Sequence, residues 1–173
     1  MKLLQNLHHY DLLTFDWCLR RRHLRQLTQV SRWVSKTADG HLYGIAALLL
    51  LILQNYPMLT LMLAAFVAER SLYFVLKSHF RRNRPPQAIP GFKSVVQPSD
   101  QFSFPSGHTS AAFLAATLLY QLMPTLGWVL YPWACAVGTS RVLLGVHFPT
   151  DTVAGALLGL SIAVMTLCLF GTP

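Results

Sequence analysis

Eight residues in three short stretches have the types and spacing to do chemistry together. The stretches are Lys77-x6-Arg84-Pro85, Pro105-Ser106-Gly107-His108 and Ser140-Arg141-x5-His147-x3-Asp151. Three fixed cations, Lys77, Arg84 and Arg141, call for a multiply charged anion if they meet in one pocket. Phosphate is the natural candidate, because arginine offers its oxygens a planar fork of donors. Ser106-Gly107-His108 opens a helix, where free backbone N–H groups and the helix dipole also favour an anion. Gly107 lets the backbone approach it closely. His147 and Asp151 are four residues apart around a helix start, within reach of each other. A neutral histidine held by a carboxylate can accept a phosphoryl group. Asp151 would set the His147 tautomer and steady the charge that forms on attack. His108 is left as general acid toward the leaving oxygen and then as base for water, a role typically worth about 10²–10⁴ in rate. With six acidic residues and no carboxylate cluster or HExxH pattern, no metal or other cofactor is expected.

The elements that must position these residues read as membrane helices. The 173 residues suit one domain, 1–173. The chain is 53% hydrophobic and only 12% charged, with a formal net charge of +8. So apolar a chain is not disordered, and so few charges cannot coat a water-facing surface. Basic pI notwithstanding, nucleic acid is not an expected partner. No Asp, Glu, Lys or Arg occurs in residues 42–68, 101–140 or 152–173. About 20 apolar residues make a spanning helix, so spans are expected near 41–55, 57–77, 106–123, 126–145 and 149–170. Pro57 separates the first two, and Pro149 suits the first turn of the last. The expected fold is all-α: an integral membrane antiparallel bundle of about five transmembrane helices. Residues 1–40, where Trp17, Leu27, Val30 and Trp33 interleave with Arg20, Arg21, Arg22, Arg25 and Arg32, suit an amphipathic helix lying in the membrane interface. They carry no signal-peptide pattern. Counting crossings brings all three motifs to one membrane face, beside the long polar connection 78–105. Cys18, Cys135 and Cys168 suggest neither a disulfide framework nor a zinc site.

Taken together, the three motifs resemble the tripartite signature of the type-2 phosphatidic acid phosphatase superfamily, over about residues 66–160. The resemblance implies a helical bundle and hydrolysis without metal. It implies His147 as nucleophile through a phosphohistidine, Asp151 as its partner, and His108 as the acid. Lys77, Arg84, Ser106, Gly107 and Arg141 would bind the phosphate. Membrane relatives often have six spans, one more than expected here. The implied substrate is a lipid phosphate or pyrophosphate, with undecaprenyl pyrophosphate first and phosphatidic acid or phosphatidylglycerophosphate as alternatives, along with phosphotransfer to another acceptor. The implied location is a bacterial inner membrane. The basic N-terminal segment points the active face to the cytoplasm, although many relatives work on the outer face.

Other polar residues are expected to be peripheral. His8, His9, His23, His41 and His79 read as structural or interfacial. Arg81 and Arg82 read as lipid-headgroup contacts. Glu69 and Arg70, costly inside a span, read as structural support for the pocket.

Overall fold

The computed structural model describes residues 10–16, 18, 20, 24–98 and 100–171. Trp17, Leu19, Arg21, Arg22, His8, His9 and His23 lie outside the described residues. Those described are helical or irregular, without strands. Residues 10–16 are helical. Then come α1 (Leu24–Thr37), α2 (His41–Ile52), α3 (Tyr56–Phe80), the single turn α4 (Pro85–Ala88), α5 (Gly107–Leu122), α6 (Gly127–Leu143) and α7 (Pro149–Phe170).

Local chemistry sets the boundaries. Gly40, with φ 108°, turns the chain between α1 and α2. The Asn55 side chain accepts from the Met58 N–H at 3.2 Å and caps α3. Pro57 occupies that helix's first turn, where no donor is lost. Five helices thus lie where spans are expected, but not all reach spanning length. Among the described residues, two stretches are long and apolar enough to cross a membrane: Tyr56–Ala88, which contains α3, and Pro149–Phe170. Helix α2 has 12 residues, roughly 18 Å of rise against a hydrocarbon core of about 30 Å. Its C-terminal turn ends early because Asn55 and Pro57 begin the next helix.

Polarity is distributed inside out. Large apolar side chains face outward, among them Ile45, Leu48, Leu63, Val67, Phe74, Val129, Leu157 and Leu169. Glu69, Lys77, Arg84, Arg141, His147 and Asp151 are buried. Water would favour the reverse arrangement.

Helices α5 and α7 form the tightest pair. A Cβ on Gly155 would stand 2.4 Å from the Ser106 carbonyl oxygen, and one on Gly159 would stand 2.1 Å from that of Ser110. Only a missing side chain lets the two backbones approach so closely. Helix α1 does more than lie on the surface. Val34 and Ala38 pack against Ala112, Ala116, Ala134 and Val137 of α5 and α6, while Val30 and Trp33 stay exposed. The segment therefore also walls the interior at the end where the three motifs meet.

Candidate active site

Each expected residue is delivered by a helix end or by a short connection. Lys77 comes from the last turn of α3 and Arg84 from the residue that opens α4. Gly107 and His108 start α5, Arg141 ends α6, and His147 lies in the turn before α7. His147, His108, Arg84, Arg141 and Gly107 line one cavity of about 1290 Å³.

His147 is buried, and its Nε2 stands 3.3 Å from Arg84 Nη1. Its Nδ1 is 3.8 Å from Asp151 Oδ2, too long for a hydrogen bond. Nδ1 has no hydrogen-bond partner among the described residues. Asp151 Oδ2 accepts instead from the Phe148 N–H at 2.8 Å. The pair is therefore aligned but open, and about an ångström of closure makes the bond. Burial pushes the His147 pKa down to about 4, with the cations Arg84 and Arg141 adding to the effect and Asp151 opposing it. The imidazole is then neutral from pH 5 to 8, the state a nucleophile needs.

His108 Nε2 pairs with Asp39 Oδ1 at 2.8 Å, so the turn after α1 holds the second imidazole. Arg141 Nη1 donates to Ser35 Oγ of α1 at 2.7 Å, and its buried Nε has no partner among the described residues. Ser106 departs from expectation. Its hydroxyl is fully buried and engages Thr109 Oγ1 at 2.9 Å rather than the cavity.

Sequence reasoning missed three acidic residues and misplaced one arginine. Arg82, expected among lipid headgroups, donates from Nη1 to Asp151 Oδ1 at 2.7 Å and to Thr150 Oγ1 at 2.7 Å. Its Nη2 donates to Asp11 Oδ2 at 2.6 Å, and its guanidinium stacks on Phe148. It therefore fixes Asp151 from behind, which its neighbour Arg81, bonded to the Ser78 carbonyl at 2.9 Å, does not do. Asp39 and Asp11 carried no signal, because their partners lie far away in the chain.

Asp100 is the third, and its one clue is being a lone carboxylate in a nearly uncharged stretch. It accepts from Lys77 Nζ at 2.5 Å, from Tyr73 Oη at 2.7 Å, and from Arg84 Nη2. Burial alone would raise its pKa, but the donors of Lys77, Tyr73 and Arg84 outweigh that and hold it below the ordinary carboxylate range. An anion already sits on Lys77 and Arg84, two of the three cations expected to hold phosphate, so an incoming oxyanion would compete with it. With the Asp100 side chain 35% exposed, solvent screens the contact to about 1 kcal/mol, or roughly fivefold. Asp100→Asn is expected to lower the vanadate concentration for half-maximal inhibition by about that factor. A rise would show instead that the carboxylate serves to hold Lys77 and Arg84 in place.

Residues 55–172 match the PAP2 superfamily model. The chain is 33% identical over 127 residues to the Bacitracin transport permease protein BcrC of Bacillus licheniformis, covering 73% of this chain and 55% of that protein. It is 32% identical over 125 residues to the Undecaprenyl-diphosphatase of Sulfolobus acidocaldarius, covering 71% and 60%. The chain spans about half the length of the curated relatives it matches. Among solved structures, Aquifex aeolicus LpxE superposes with a TM-score of 0.79 at 28% identity, over 91% of this chain and 94% of that one.

Proposed function

The chain belongs to the PAP2 superfamily, and on that premise we propose that it is a membrane phosphatase that removes the terminal phosphate of a lipid phosphate or pyrophosphate. The observation that carries this reading is a buried imidazole, His147, opening Nε2 toward Arg84 in the cavity that His108 and Arg141 also line. The outward apolar side chains suit five helices embedded in lipid, with the cavity near headgroup level, where a lipid phosphate can enter sideways.

In the proposed reaction His147 Nε2 attacks phosphorus and displaces the lipid oxygen, which takes a proton from His108. The phosphohistidine is then hydrolysed by water, with His108 as base. Asp151, braced by Arg82, steadies the imidazolium. Lys77, Arg84 and Arg141 neutralise the charge that spreads over the equatorial oxygens, with the Gly107 backbone beside them. These cations supply the neutralisation a metal would otherwise provide. Undecaprenyl pyrophosphate is the first candidate substrate, in keeping with the Sulfolobus relative's name. Phosphatidic acid and phosphatidylglycerophosphate are the alternatives.

Phosphate release from these three lipids in detergent tests the reading. Turnover should survive EDTA and stop with vanadate, whose trigonal-bipyramidal form resembles the transition state. Loss of activity on chelation would overturn the metal-free mechanism. Transfer of phosphate to an added alcohol instead of water would make the protein a phosphotransferase.

A further inference from the structure

Arg84 and Arg141, with Lys77 behind them, suit one phosphate, yet Arg32, Lys36 and Arg70 line the same cavity, and of these Arg70 belongs to α3. Arg70 lies two turns before Lys77 on α3 and lines the same cavity. Its side chain is 41% exposed, whereas its neighbour Glu69 is completely buried. Three contacts place it. Its Cζ lies 4.7 Å from the centre of the Tyr73 ring. One Nη is 3.2 Å from Glu69 Oε2. The other is 3.3 Å from where a Cβ of Gly107 would stand, so the guanidinium reaches the first turn of α5. Lys77 Nζ lies 4.5 Å from the centre of the same Tyr73 ring and donates to its hydroxyl, so Arg70 and the lysine share that ring. Arg70 is also close enough to His108 to act on it electrostatically.

The side of the cavity matters. Attacking and leaving atoms lie roughly in line in phosphoryl transfer. With His147 attacking, the leaving oxygen points toward His108, and whatever that oxygen is bonded to extends past His108. The lining residues next to His108 are Asp39, bonded to it, and Arg70, whose guanidinium reaches Gly107; of the other cations that line the cavity, Arg32 donates to the Val95 carbonyl and Lys36 lies over the Trp33 ring. In a phosphomonoester the group there is a carbon chain, which gains nothing from a guanidinium. In a diphosphate it is the second phosphate, which does.

We propose that Arg70 forms a second anion subsite that holds the phosphate remaining with the lipid and so selects diphosphates over monophosphates. This deepens the phosphatase reading and rests on it. The bond that breaks joins the terminal phosphorus to the bridging oxygen. That oxygen leaves on the lipid monophosphate with a proton from His108, and water then releases inorganic phosphate from His147. Arg70 takes no proton. It neutralises charge that builds on the leaving phosphate, and Glu69 and Tyr73 fix its orientation.

The test compares ligands of one and two phosphorus centres. Methylenediphosphonate should inhibit the wild-type protein at a concentration roughly tenfold or more below that of methylphosphonate, given the strength of bidentate arginine–phosphate pairs. In Arg70→Gln that preference should vanish. The same variant should lose at least roughly tenfold more kcat/KM on undecaprenyl pyrophosphate than on phosphatidic acid, and Arg70→Lys should fall between. Equal inhibition of the wild type by both phosphonates would overturn the subsite without recourse to any variant. Parallel losses on both lipids would reduce Arg70 to a structural role. If the wild type hydrolyses no lipid phosphate, the phosphatase reading fails. Protection from thermal unfolding by the two phosphonates then still decides the subsite.

Discussion

His147→Ala is expected to abolish phosphate release, with kcat down on the order of 10⁴-fold or more, as when the nucleophile of a covalent mechanism is deleted. Among the described residues the imidazole is the one nitrogen base buried against Arg84, and no neighbour can replace it. His108 is tied to Asp39 and is proposed to serve the leaving group. The measurement is burst and steady-state phosphate release, with acid-stable and base-stable phosphoprotein counted separately, because phosphohistidine survives base and not acid. Turnover within tenfold of wild type would sink the nucleophile assignment. The variant also carries a pH signature. With its pKa lowered to about 4, the folded protein binds fewer protons at 147 than the unfolded chain does between about pH 4 and 6.5. Lowering the pH through that window therefore destabilises the fold. His147→Ala removes that part of the slope, which thermal unfolding at pH 4.5 and 7 would register.

The second large effect is on the fold. Gly159→Val places a branched side chain where a single Cβ would already lie 2.1 Å from the Ser110 carbonyl oxygen and 2.9 Å from the Leu114 nitrogen. Both atoms are helix backbone and cannot rotate away. Ordinary overpacking costs about 1–3 kcal/mol, and a backbone clash exceeds it. Since α5 carries His108 and α7 carries Asp151, pushing them apart also opens the site. The expected result is loss of the monodisperse, detergent-extracted protein, or an unfolding temperature lower by more than about 10 °C. Gly44→Val, where a Cβ meets nothing within 4 Å, should be tolerated. Normal extraction and stability of Gly159→Val would show that α5 and α7 can separate freely, contrary to the packing described here.

Much of the candidate site is legible in the chain because it is encoded locally. Lys77 and Arg84, Gly107 and His108, Arg141, and His147 with Asp151 each sit at a fixed distance from a helix terminus. Helix geometry and the count of crossings are then enough to bring them to one end of the bundle. The alternation of charge-free stretches with Pro57, Pro124 and Pro149 marks the helices for the same reason, since hydrophobicity and proline act over a turn or two. The Gly155–Gly159 spacing can also be read, but not which helix it meets.

What the chain does not reveal are contacts whose partners are chosen by packing. Asp100 reaching Lys77 and Arg84, Arg82 reaching Asp151 and Asp11, and Asp39 reaching His108 join positions from 16 to 71 residues apart. The path of a loop and the seating of α1 decide these pairings. No local pattern specifies them, because a carboxylate's sequence neighbours do not tell which cation will lie across the cavity from it. Thus the order of residues alone determined that a phosphate-sized cradle with two histidines could form at one end of a helical bundle. Only the tertiary structure decided which anion rests there now, what braces Asp151, and that Arg70 lies beside Gly107 in the same cavity, since each depends on atoms brought together solely by the packed helices.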